Sequence, residues 1–210
     1  MKQICIDEFY QHLSFIMLWV YFTTGIRVNE GCALYWNDID CKKKTMRVHH
    51  MLDFKNKNTW TRKNYTKTDA GKRIISLDDD TLKILTEWKK RQTTQCKSDF
   101  IFSYDGKPMQ KSTIARIIER YSKLAGVHKI QIKALRHSHA SWLINEFNVD
   151  ILMLSRRLGH SSPEITLKHY SHMYPNRDYV IADKITSSIK IETPKENQIN
   201  FTGNQNIKFN

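Results

Sequence analysis

The chain has 210 residues, 40 % of them hydrophobic, which suits one packed domain with a modest appendage and excludes a disordered polymer. Its 34 lysines and arginines outnumber 21 aspartates and glutamates, and the formal charge of +13 points to a polyanionic partner. Cys5, Cys32, Cys41 and Cys96 form no CxxC pair, which argues against a structural zinc site or a disulfide framework, and the apolar run Phe15 to Phe22 falls far short of the roughly 20 residues that span a bilayer. A soluble protein of a reducing cytoplasm is expected.

In chain order, Ile6-Asp7-Glu8-Phe9 reads as a helix start with Asp7 as cap, and Leu13, Ile16, Met17 and Val20 continue it at helical spacing. Gly25 permits a turn before Arg27, and a second helix is expected from about Val28 to Leu34, with Ala33 and Leu34 inward. From Lys42 to Leu77 the texture alternates, rich in Thr, Val and Ile. It predicts a small antiparallel sheet with turns near Asn56 to Asn58 and at Ala70-Gly71. Asp78, Asp79 and Asp80 open a helix reaching about Arg91. Asp99 to Ser103 reads as extended, and Ser112 as the cap of a helix that Gly126 terminates. Two more helices are expected, from about Lys133 to Glu146 and from Asp150 to Leu158. Ser161-Ser162-Pro163-Glu164 then starts a short helix with Tyr170 toward its end. A further helix is expected after Pro175 through Ile189, followed by a tail, 191–210, with little periodicity.

The stretch from Lys133 to His172 carries the chemistry. Lys133 and Arg136 stand one helical turn apart, Leu158-Gly159-His160 follows an apolar helix, and Tyr170 comes ten residues later. A packed core does not require that order, whereas a phosphate-directed site would use it. Arg136 offers a planar donor fork, His160 another donor, and Tyr170 a phenol able to attack phosphorus. Such a site needs a second arginine and a proton donor. Thr24-Gly25-Ile26-Arg27-Val28-Asn29-Glu30 offers the first, and Lys67-Thr68, ahead of Lys72 to Leu77, the second.

Taken together, these motifs resemble the tyrosine recombinase, or phage integrase, family over nearly the whole chain up to about Tyr174. The resemblance implies an α+β, mainly helical catalytic domain with a small antiparallel three-stranded sheet, spanning 1–174. It implies a C-terminal helix within 175–190 that docks on a neighbouring protomer, a helix packed on its own chain being the alternative, and no N-terminal core-binding domain in this sequence; the Asn-, Gln- and Lys-rich composition of 191–210 reads as a flexible tail. Weaker DNA binding than that of a recombinase carrying such a domain is therefore expected. The implied activity is site-specific strand cleavage and rejoining through a 3′-phosphotyrosyl link, without cofactor or metal. The implied partners are duplex DNA bearing recombination sites, three further copies of the chain in a tetramer, and accessory bending or directionality proteins, with no membrane.

By the same resemblance Arg27 and Arg136 clamp the scissile phosphate, His160 donates to it, Tyr170 attacks, and Lys67 protonates the leaving 5′ oxygen. Lys63 and Lys72 compete with Lys67 for that role, and Tyr174, one turn on, competes with Tyr170. The family pattern reads His-x-x-Arg where this sequence has Lys133-Ala134-Leu135-Arg136, which leaves Lys133 between phosphate donor and base. Glu30 is placed to orient Arg27 by an ion pair, a surface salt bridge of small worth being the plainer reading. His137 and His139, two apart and so on different helical faces, read as structural. A type IB topoisomerase and a helix-turn-helix regulator each account for part of the pattern. The second leaves Arg27, Lys67 and the spacing to Tyr170 unused.

Overall fold

The computed structural model describes residues 2–56, 59–64, 71–174 and 178–186, with backbone alone for 2–7 and 178–181. Helix α1 (Lys2–Thr24) is a continuous rod. It begins ahead of the expected start, so Asp7 stands within it rather than at its head; no residue of its first turn breaks a helix. Phe9, Leu13, Ile16, Met17, Val20 and Tyr21 recur at helical spacing and are all buried. Each such side chain contributes about 1.5–3 kcal/mol. The rod ends where Thr23 and Thr24 turn their hydroxyls back to the Trp19 and Val20 carbonyls and Gly25 takes φ +63°. A side chain there would be strained, and its Cβ would lie 2.4 Å from His139 Cδ2.

Helix α2 (Val28–Cys32) is shorter than expected, with Ala33 and Leu34 buried just beyond it. Strands β1 (Ile39–Asp40), β2 (Thr45–Val48), β3 (His50–Phe54), β4 (Trp60–Asn64) and β5 (Arg73–Ser76) follow. A three-stranded antiparallel sheet forms in the order β1-β2-β5, with Met46 opposite both Ile39 and Ile75. β3 and β4 pair apart from it as a two-stranded ribbon, His50 opposite Asn64 and Phe54 opposite Trp60. The turn expected at Ala70-Gly71 falls partly on residues outside those described, as does Lys67.

Helix α3 (Asp79–Gln95) is capped by Asp78, which accepts from the Thr81 amide, and it buries Leu82, Leu85, Trp88 and Gln92. Gln92 and Trp88 stitch the extended 100–103 segment to it through the carbonyls of Phe100, Ile101 and Ser103. Helix α4 (Lys111–Leu124) starts one step before the expected cap, because the Thr113 and Ile114 amides donate to the Gln110 carbonyl and leave Ser112 inside the first turn. Helices α5 (Ile132–Phe147), α6 (Ile151–Leu158) and α7 (Pro163–Tyr170) complete this unit. Asn148, at φ +48°, ends α5, and Asp150 caps α6 through the Leu152 and Met153 amides.

The core has two parts. The larger lies under α1, α3, α4 and the sheets, and the smaller gathers Ala140, Ile144, Leu154, Leu158 and Tyr170. α5 serves both, with Leu135 against the first and Ala140 and Ile144 in the second. A separate unit after Tyr174 contains helix α8 (Asp178–Ile185), and 175–177 and 187–189 of the segment expected to be helical lie outside the described residues. Among the described residues no helix is long and apolar enough to cross a membrane.

Candidate active site

The end of α6 organises the site. The last carbonyls of a helix have no partner within it and carry the negative end of its dipole, so they attract cations. Gly159, at φ +68°, lets the chain turn away after Leu158 while the His160 amide closes back on the Ser155 carbonyl. Three consecutive carbonyls are thereby presented, and three arginines from three elements use them. Arg73 of β5 donates from Nε to Arg157 O at 2.7 Å, Arg136 of α5 from Nη2 to Leu158 O at 2.6 Å, and Arg27, which precedes α2, from Nη2 to Gly159 O at 2.9 Å. Arg136 also reaches back to the Gly25 carbonyl at 2.8 Å.

Glu30 binds the same cluster from the other side. Its side chain is 1 % exposed. Oε1 accepts from Arg27 Nη1 at 2.9 Å and Arg73 Nη1 at 3.1 Å, while Oε2 accepts from Arg73 Nη2 at 2.9 Å and the Arg27 amide at 2.7 Å. The carboxylate is buried and multiply bonded, with Arg73 buried and Arg27 partly exposed beside it, which is more than an isolated surface salt bridge. One carboxylate among three guanidiniums leaves an excess of positive charge. Burial, then repulsion by Arg27 and Arg73, pushes the Arg136 pKa down to about 9, with Glu30 opposing, and the side chain stays cationic at neutral pH. An anion at this place would relieve that repulsion.

His160 and Tyr170 flank the arginines. The His160 Nδ1 lies 2.7 Å from the hydroxyl of buried Thr166 on α7, which fixes the ring. Burial first, then Arg136 and Arg27, push its pKa down to about 4, so the imidazole is neutral. Tyr170 closes α7 and is 4 % exposed in the smaller core. Burial raises its phenol above the ordinary value against the pull of Arg136. Its Oη lies 2.8 Å from His137 Nδ1. Tyr174, by contrast, donates its hydroxyl to the Val149 carbonyl at 3.0 Å. Lys133 is exposed one turn before Arg136 and lowers the His137 pKa through its charge.

The structure thus gathers Arg27, Glu30, Arg136, His160 and Tyr170, with Lys133 exposed one turn before Arg136 on α5, while Lys67 lies outside the described residues. Sequence reasoning missed Arg73, whose place in an alternating basic strand looks like any solvated edge. It also read His137 as structural, although it touches the candidate nucleophile. His139 has the structural surroundings expected for both: fully buried, it accepts from Arg157 Nε at 3.1 Å. Among the described residues one group could hold a metal ion, Asp38 with His49 and His50. Arg62 already donates to Asp38 Oδ2 at 2.7 Å and sits 3.4 Å from His50 Nε2, so a cation occupies that neighbourhood.

The structure is thus a mixed helical and sheet domain with cationic groups and a tyrosine drawn to one helix end. The chain belongs to the phage integrase family, whose pattern matches residues 3–177. It is 32 % identical over 178 residues to the ICEBs1 integrase of Bacillus subtilis (strain 168), an alignment covering 79 % of this chain and 46 % of that protein. It is 30 % identical to the integrase of Staphylococcus phage L54a, over 77 % of this chain and 48 % of the relative. The chain therefore spans about half the length of these curated relatives. Its fold matches that of the Tn1549 transposon integrase solved in complex with circular intermediate DNA, at TM-score 0.67 and 20 % identity over 89 % of this chain and 65 % of that one. XerA recombinase gives TM-score 0.61 at 21 % identity, over 89 % and 61 %. The α+β, mainly helical class with a three-stranded antiparallel sheet is that of tyrosine recombinase catalytic domains.

Proposed function

We propose that this chain is the catalytic portion of a site-specific tyrosine recombinase that integrates or excises a mobile element by cutting and rejoining DNA strands through a 3′-phosphotyrosyl intermediate. The observation that carries this reading is the bracing of Arg73, Arg136 and Arg27 on three successive carbonyls at the end of α6, beside Tyr170. The cluster is preorganised for a phosphodiester, and little rearrangement is needed when charge grows on its oxygens.

In this reading Arg27 and Arg136 hold the non-bridging oxygens. With the Thr166 hydroxyl donating to Nδ1, neutral His160 carries its proton on Nε2 and donates it to the phosphate. Lys133 adds a donor at the rim, and Lys67 protonates the departing 5′ oxygen. Arg73 never meets the substrate; with Glu30 it positions Arg27. Tyr170 is favoured over Tyr174 as nucleophile because the latter hydroxyl is committed to a backbone carbonyl. The integrases of ICEBs1 and phage L54a support the mobile-element assignment. Duplex DNA with paired recombination sites is the substrate, inside the bacterial cell, and four protomers act together, the segment containing α8 docking on a neighbour.

Covalent trapping tests this. A nicked suicide duplex carrying the candidate site, incubated with the protein and denatured, gives a protein–DNA adduct that Tyr170→Phe abolishes. A bound site without adduct would overturn the enzymatic reading. An adduct surviving in Tyr170→Phe would move the nucleophile to Tyr174, and relaxation of plasmid lacking any site would replace site-specific recombination with topoisomerase activity.

A further inference from the structure

Tyr170 has a chemical problem that the arginines do not solve. A phenol attacks phosphorus only as its proton leaves, yet this one is buried, and burial holds its proton more firmly than Arg136 loosens it. Lys133 occupies the position where the family pattern has a histidine, and an ammonium offers donors but no lone pair. The group that does touch the phenol is elsewhere. His137 lies one residue beyond Arg136 and one helical turn after Lys133, so α5 carries Lys133, Arg136 and His137 along one side. Its Nδ1 stands 2.8 Å from Tyr170 Oη, within reach for direct proton transfer.

We propose that His137 is a catalytic residue of this chain, the base that takes the Tyr170 proton during strand cleavage and returns it during religation. This rests on the recombinase reading above. With its proton on Nε2, His137 accepts the phenolic O–H at Nδ1. As the Oη–P bond forms and the P–O5′ bond breaks, the Oη proton passes to Nδ1, giving an imidazolium, and the 5′ oxygen takes a proton from the separate donor assigned to Lys67. Religation runs the same transfers backwards, and no other reactant is consumed. The groups facing His137 are Lys133 and Arg136 from its own helix and His169 and Tyr170 from α7. Together with burial, Lys133, Arg136 and His169 keep the ring neutral, with its lone pair available at neutral pH.

Single-turnover cleavage of the suicide duplex, measured with DNA affinity and thermal unfolding on the same samples, separates the possibilities. His137→Ala is expected to bind and fold as wild type does, His137 being exposed on its helix, and to cleave about 10²–10⁴-fold more slowly. Added imidazole restores part of that rate in His137→Ala and none in Tyr170→Phe. His137→Gln, which keeps an acceptor for the phenol without a comparable base, stays slow. Wild-type cleavage by His137→Ala or His137→Gln overturns the proposal and leaves the recombinase reading standing. So does a slow His137→Ala that imidazole does not restore. Absence of a wild-type adduct overturns both. In the protein alone, Tyr170→Phe should move the nuclear magnetic resonance titration of the His137 ring, and an unchanged titration would remove the contact on which the proposal stands.

Discussion

At the scale of single residues, Glu30 is the counter-charge on which the arginines depend. Arg73 is only 7 % exposed, and without the carboxylate it would be a buried cation with no opposing charge. Glu30→Gln is expected to cost about 3–5 kcal/mol of stability, read from urea unfolding. A variant as stable as wild type would mean that the carbonyls of α6 suffice to hold Arg73. The order of motifs along the chain made Arg27, Arg136, His160 and Tyr170 legible as candidates, because each stands in a recognisable local string. Arg73 and His137 were not legible, since their meaning lies in partners 43 and 33 residues away. Residue type and periodicity report which way a side chain faces. They do not report what stands opposite.

At the scale of elements, α5 and α6 meet through a histidine that must remain neutral. His139 is fully buried, and burial followed by the charge of Arg157 pushes its pKa down to about 3, against 6.5 for an ordinary histidine. The unfolded chain therefore binds a proton that the folded chain refuses between those values. Stability is complete above about pH 6.5 and falls as the pH drops below it, by about 1.4 kcal/mol per pH unit for one such group. His160, held near 4, adds to the slope at the upper end of this range. Urea midpoints compared between pH 7 and pH 5.5 should show the loss, and His139→Gln should reduce it; a flat profile would place His139 in water in the native state. Helix positions were largely legible because caps and apolar spacing are local. The start of α4 at Lys111, the continuous α1 and the separate β3-β4 ribbon were not, since each depends on which amide finds which carbonyl after packing.

For the molecule as a whole, the formal charge of +13 bears on association more than on fold. A surface that neutralises roughly six phosphates loses on the order of 10³-fold in DNA affinity between about 50 and 200 mM salt. Fluorescence anisotropy on a duplex across that range should give a steep linear plot of log affinity against log salt. A flat plot would separate the charge from DNA binding.

The α6 terminus also sets a schedule. Arg27 and the Gly159 carbonyl that braces it are 132 residues apart in the chain. At about 5–20 residues per second of translation, on the order of ten seconds pass between the two leaving the ribosome. During that interval Glu30 is present to pair with Arg27 and Arg73, but the carbonyls that brace all three arginines are not yet made, and the cluster is completed only when α6 emerges. On the recombinase reading proposed above, timed sampling of synchronised translation with the suicide duplex should register that delay as a lag before the first adduct.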